Sequence, residues 1–116
     1  MATVTQRTAS PYRSRPGRLA VVVDDLAELV GPTHGLIELP HRLLWRPDRV
    51  VDLDQSWQLR STYETVLTEA IRADELRAWL DRVTLIRVWD ELYLPRGVRR
   101  AWEERHHVLR RLPTVA

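Results

Sequence analysis

Lysine is absent from this sequence of 116 residues, and so are cysteine, asparagine and phenylalanine. Each absence excludes a chemistry. Without lysine there is no phosphate-loop lysine, no Schiff base and no Ser-x-x-Lys nucleophile. Without cysteine there are no disulfides, no thiol catalysis and no cysteine-ligated zinc or iron–sulfur site. Lysine, asparagine and phenylalanine have AT-rich codons, so a GC-rich coding sequence depletes all three and favours arginine. No apolar run approaches the ~18 residues needed to cross a bilayer, and the first residues do not resemble a secretory signal. The length suits one domain. The expected setting is the cytoplasm, with no membrane partner.

What remains is rich in arginine and tryptophan. All 18 basic residues are arginine, set against 16 acids, and the formal charge is only +2. Residues 1–18 carry Arg7, Arg13, Arg15 and Arg18 with no acid, and residues 96–111 carry six arginines against Glu103 and Glu104, so each end is +4. The middle, 19–95, sets eight arginines against fourteen acids and is −6. Two basic ends flanking an acidic body point to partners: a nucleic acid, an acidic protein, or each other.

Residues 1–18 are rich in Thr, Ser, Pro and Arg, and predict a disordered basic tail because they cannot bury enough apolar surface to offset ordering. The domain then runs over 19–112. Apolar positions 19, 22, 23, 26, 29 and 30 follow helical spacing, with Gly31-Pro32 as a stop, so Leu19–Val30 predicts a helix. A strand ending in the carboxylates Asp24-Asp25 is the alternative. That pattern looks like the start of a response-regulator receiver, which would also need a lysine. Gly31–Asp54 reads as the only β region. Leu36–Leu39 is one strand, and Leu43–Trp45 and Val50–Leu53 flank a hairpin loop at Arg46-Pro47-Asp48-Arg49.

From Asp54 onward the pattern is helical. Asp54 is a candidate N-cap, and Leu59, Tyr63, Val66, Leu67, Ala70 and Ile71 form one apolar stripe. A short helix is expected over Asp74–Leu80, and another after Asp81 as cap, burying Leu85, Val88, Trp89 and Leu92. Pro95 suits the first turn of a last helix that buries Val98, Ala101, Trp102 and Leu109. The expected fold is α+β, mostly α: four to five short helices packed on a small hairpin.

Several constellations have a structural and a chemical reading. Gly31-Pro32-Thr33-His34-Gly35 lacks the lysine and spacing of a phosphate loop and reads as a turn. His34, His41, His106 and His107 show no metal-ligand spacing, so no metal is expected. His106 and His107 instead suit a helix C-terminus, where the dipole favours cations. Asp52 and Asp54 share a strand face, but Asp54 has a cap to make. Trp79, Trp89 and Trp102 fall on apolar stripes and should be core, whereas Trp57 falls off its stripe and is the candidate exposed contact. The last helix offers Arg96, Arg99, Arg100 and Arg105 to a protein partner, or to nucleic acid together with Arg7, Arg13, Arg15 and Arg18. Arg99 with Glu103 and Arg100 with Glu104 are spaced to neutralise one another. No convergent nucleophile, base and orienting group can be assembled, so neither catalysis nor a cofactor is expected.

Three stretches carry a resemblance: Gly31–Pro40, Tyr63-Glu64-Thr65-Val66-Leu67-Thr68-Glu69-Ala70, and Leu92-Tyr93-Leu94-Pro95-Arg96-Gly97-Val98-Arg99-Arg100-Ala101-Trp102-Glu103. Together, within residues 28–112, they resemble a family of small actinobacterial regulator proteins. Its members look like antitoxin partners of nucleotidyltransferase toxins of the AbiEii type. The resemblance implies a non-catalytic protein that neutralises such a toxin, and it carries no catalytic residues. A small DNA-binding transcriptional regulator, using the tail and the last helix, is the alternative.

Overall fold

The computed structural model describes residues 9–15 and 18–110. Strand β1 (Ala9–Arg15) pairs antiparallel with β2 (Arg18–Val21). Strand β3 (Leu36–Glu38) pairs antiparallel with β4 (Val50–Asp52) in a second two-stranded sheet. Four α-helices follow: α1 (Ser56–Glu69), α2 (Ala73–Trp79), α3 (Arg82–Val88) and α4 (Arg96–Arg105). The fold is α+β, with its helices in the second half of the chain.

The helical half follows the apolar spacing. Leu59, Tyr63, Val66, Leu67 and Ala70 are buried along α1, while Ile71 lies past its end and is exposed. The Asp81 carboxylate accepts from the Thr84 amide (3.0 Å) and from the Thr84 hydroxyl (3.0 Å), capping α3 as expected. Pro95 stands at the N-terminus of α4, and Val98, Ala101, Trp102 and Leu109 are buried. Trp89 and Trp102 are fully buried with ring centroids 6.4 Å apart, and Trp79 packs half-buried against the same core. The Trp89 indole N–H donates to Glu103 Oε2 (2.8 Å), which satisfies the one polar group that burial of the ring would orphan.

The first half departs from the sequence expectations in three places. Part of the expected disordered tail is strand β1, with residues 1–8 and 16–17 outside the described residues. Ala20, Val22 and Val23 are buried, which anchors β2, and the β2 backbone pairs with that of β1. Leu19–Val30 is not a helix: β2 runs into extended chain, and a single 3-10 turn follows at Leu26–Glu28. Three consecutive β-branched valines favour extended backbone. Asp25 accepts from the Ala27 amide (2.9 Å) and Glu28 from the Asp25 amide (3.1 Å), a reciprocal cap on that one turn.

The hairpin also has a different partner set. β3 pairs β4 through Leu36↔Asp52, Ile37↔Val51 and Glu38↔Val50, whereas Leu43–Trp45 is a turn inside the connection. Pro40 is the reason. Its carbonyl accepts from the Leu43 and Leu44 amides (2.9 and 3.0 Å), coiling the segment before it could extend. Arg49 then closes the connection, its Nε donating to the Leu39 carbonyl (3.0 Å).

Gly31 ties the two halves together. Its amide donates to the Leu80 carbonyl (2.8 Å), and a side chain there would meet the backbone of Trp79, Leu80 and Ala78 at 2.6–2.8 Å. Close backbone approach, more than helix termination, is what requires glycine at this position. Gly35 adopts φ +81°, a left-handed conformation open to glycine at little cost.

Candidate partner-binding face

Helix α1 is amphipathic, and its polar side is the centre of the candidate site. Residues turn by about 100° along a helix, so Trp57, Ser61, Glu64, Thr65 and Thr68 share the side opposite the buried stripe. The chain rises on both flanks of this face. On one flank the Tyr93 amide donates to Glu64 Oε2 (2.7 Å), and Arg60 pairs with Glu91 (3.5 Å). On the other, Arg42 reaches back and its Nη2 donates to the Glu69 carbonyl (2.8 Å). Between α1 and the 42–45 segment lies an open groove of about 680 Å³, lined by Trp45, Glu64, Thr65, Thr68 and Glu69 among others.

Three aromatic side chains border this face. Trp45, Trp57 and Tyr93 are 78%, 64% and 88% exposed, which leaves large apolar surface open to water. The Trp45 indole is not loose, because the His41 ring stacks on it at 4.1 Å and 7°. One indole face is therefore backed by His41.

Arg42 and Glu75 set the local charge. Arg42 Nε and Nη2 donate to the two Glu75 oxygens at 2.5 and 2.8 Å. Burial alone would raise the Glu75 carboxyl, but this fork, together with the Ile71 and Arg72 amides, holds it below its ordinary value. The Arg42 charge is thereby neutralised inside the fold. Glu64 accepts from the neutral Tyr93 amide.

The other expected site residues divide. Arg99 is turned inward: its Nη2 donates to the Leu92 carbonyl (2.5 Å), its guanidinium sits 5.0 Å from the Trp89 ring centroid, and it lies 3.7 Å from Glu103. Arg105 pairs with Asp24, linking the end of α4 to the segment after β2. Both side chains are engaged within the fold. Arg96 is exposed in a recess beside Tyr93, and Arg100 lies on the exposed side of α4. Arg13, Arg15 and Arg18 fall on β1 and β2, while Arg7 lies outside the described residues.

The candidate carboxylates and histidines are also accounted for. Asp54 does not cap α1, whose N-cap position is Gln55; its Oδ1 accepts instead from the Gly35 amide (3.2 Å). Asp52 Oδ1 accepts from the Asp54 amide (3.0 Å), so both carboxylates brace the junction between β4 and α1. The two adjacent histidines separate. His107 is exposed, whereas His106 is buried with Nε2 2.8 Å from the Val23 carbonyl. Burial, and secondarily Arg105, lower the His106 pKa, outweighing the hydrogen bond to Val23 and the nearby Asp25 and Asp24. That correction to a dipole-stabilised cation follows from the buried position. Among the described residues no three His, Asp or Glu side chains converge as a metal cage, and no helix is long and apolar enough to cross a membrane.

No protein-family model, curated protein or solved structure matches the chain.

Sequence reasoning found Trp57 because it falls off the apolar stripe. It missed Trp45 and Tyr93. Trp45 precedes Arg-Pro-Asp-Arg, and Tyr93 lies between the end of one helix and Pro95; aromatic residues beside such breakers are the signal that was there to read.

Proposed function

We propose that this chain is a non-catalytic, cytoplasmic antitoxin-like protein that binds and restrains a nucleotidyltransferase-type toxin, with the outer face of α1 as its contact surface. The observation that carries this reading is the trio of exposed aromatics that border the α1 face, Trp45, Trp57 and Tyr93, with Trp45 lining the groove beside it. Aromatic anchors of this kind dominate protein interfaces, where they combine large area with few rotatable bonds. The acidic body, −6 over residues 19–95, suits an enzyme whose own surface receives RNA and nucleotide. Glu64, Thr65 and Thr68 of this face fall within the 63–70 stretch that carries the resemblance, and Tyr93 within the 92–103 stretch. The test is size exclusion of the intact chain mixed with the purified product of the adjacent gene. Co-elution at micromolar concentration is expected; separate elution would overturn the reading.

One observation favours DNA binding as a second reading. Strand β1 packs across α4, so the two arginine-rich ends, remote in sequence, lie together in the fold. Phosphate contacts made by such a surface weaken steeply with salt. A duplex shift at 50 mM salt that disappears by 200 mM would support it, and no shift at any salt would remove it.

A further inference from the structure

Beyond the identity of the partner, the groove beside α1 has its own chemistry. We infer that it receives a cationic segment of the partner protein, an arginine- or lysine-bearing stretch whose basic side chain lies between the open face of Trp45 and the carboxylate of Glu64. This rests on the reading of the α1 face as a protein-binding surface.

The first argument is charge. Among the described residues the arginine lining the groove is Arg42, held in a two-point fork by Glu75, which offsets its attraction for an anion. The Glu64 carboxylate on the lining accepts from the neutral Tyr93 amide. An acidic or nucleic-acid occupant would meet like charge here, and a basic one would not.

The second argument is shape and aromatic placement. His41 backs one face of the Trp45 indole, while Trp45 itself remains 78% exposed and lines the groove. The opposite ring face is therefore available to a cation, the arrangement in which a guanidinium gains from the ring quadrupole. Along the groove the α1 positions are Thr65 and Thr68, short side chains that leave room for a long aliphatic stem. Trp57 stands at the far end of the same face, about 16 Å from Thr68 along the helix axis. That span matches three turns of a docked helix or about five extended residues.

The test uses the intact chain and a defined probe. Phage-displayed random 12-residue peptides are selected on the immobilised protein, and the enriched peptides are synthesised and titrated by fluorescence anisotropy. Enriched sequences carrying net positive charge are expected. Their affinity should fall at least tenfold in Thr65→Arg, which places a cation in the groove on a solvent side of the helix, and about fivefold in Trp45→Ala. Circular dichroism confirms that both variants are folded; should Thr65→Arg not fold, Glu64→Gln replaces it, with a loss of at least threefold expected. Enrichment of acidic or neutral peptides, failure to enrich any, or affinity unchanged in the folded variants overturns the inference. So does a single-stranded 20-nucleotide DNA that displaces the peptide at 150 mM salt. The two levels remain distinguishable. A partner that co-elutes equally with Thr65→Arg leaves the toxin-binding reading standing and removes the groove from it. A partner that never binds removes that reading, while the peptide result still decides the groove's preference.

Discussion

At the scale of single residues, much of the polar chemistry serves the fold. Arg99 satisfies the nearby Leu92 carbonyl, and Arg105 and His106 reach a carboxylate and a backbone carbonyl more than 80 residues away. A guanidinium that will cap a carbonyl and one that will meet a partner look identical in sequence, so this division was not legible there. Two predictions belong here. Gly31→Ala should cost about 2–3 kcal/mol, because its Cβ would meet backbone atoms that cannot move without displacing the α2–α3 link. Urea unfolding checks this, and a loss below about 0.5 kcal/mol would contradict the packing described.

The second concerns His106, whose pKa burial holds below its ordinary 6.5. A depressed histidine favours the folded state in its neutral form. The resulting stability is fully present above pH 6.5 and is lost as the pH falls through the folded value. Melting temperature should therefore decline on going from pH 7 to pH 5.5, and His106→Gln should flatten that decline. Glu75 acts lower, its depressed pKa contributing stability that is lost as the pH falls below 4.5 and through its folded value.

At the scale of elements, α1 to α4 and the positions of β3 and β4 were legible, whereas β1, β2 and the pairing of β3 with β4 were not. Helices of seven residues or more repeat their apolar positions often enough to show a period, and Asp81 and Pro95 mark two starts. Strands β3 and β4 have three residues each, too few to display alternation, and their pairing depends on Pro40 coiling the chain between them. Leu19–Val30 misled because Leu26 and Leu29 are buried at a spacing that helix and strand-plus-turn share. The candidate face divides the same way: Trp57 stands out against the α1 stripe, but Trp45 and Tyr93 lie in aperiodic segments. Asp81→Ala should lower stability by about 1–2 kcal/mol, since both Thr84 bonds are lost at the start of α3. Thermal unfolding would register this as a drop of roughly 4–16 °C for a domain of this size.

For the whole molecule, the α+β fold leaves one helix face bordered by aromatics and brings two basic ends together through β1 and α4. The acidic middle and the arginine-rich ends carry opposite formal charge, −6 over residues 19–95 and +4 at each end. The α1 face is proposed to bind a toxin enzyme. Titration calorimetry of the intact chain against the purified product of the adjacent gene tests it most directly, run with wild type and with Thr65→Arg. Saturable binding that weakens at least tenfold in the variant is the result expected. No heat of binding to wild type, or equal affinity for both proteins, would contradict it.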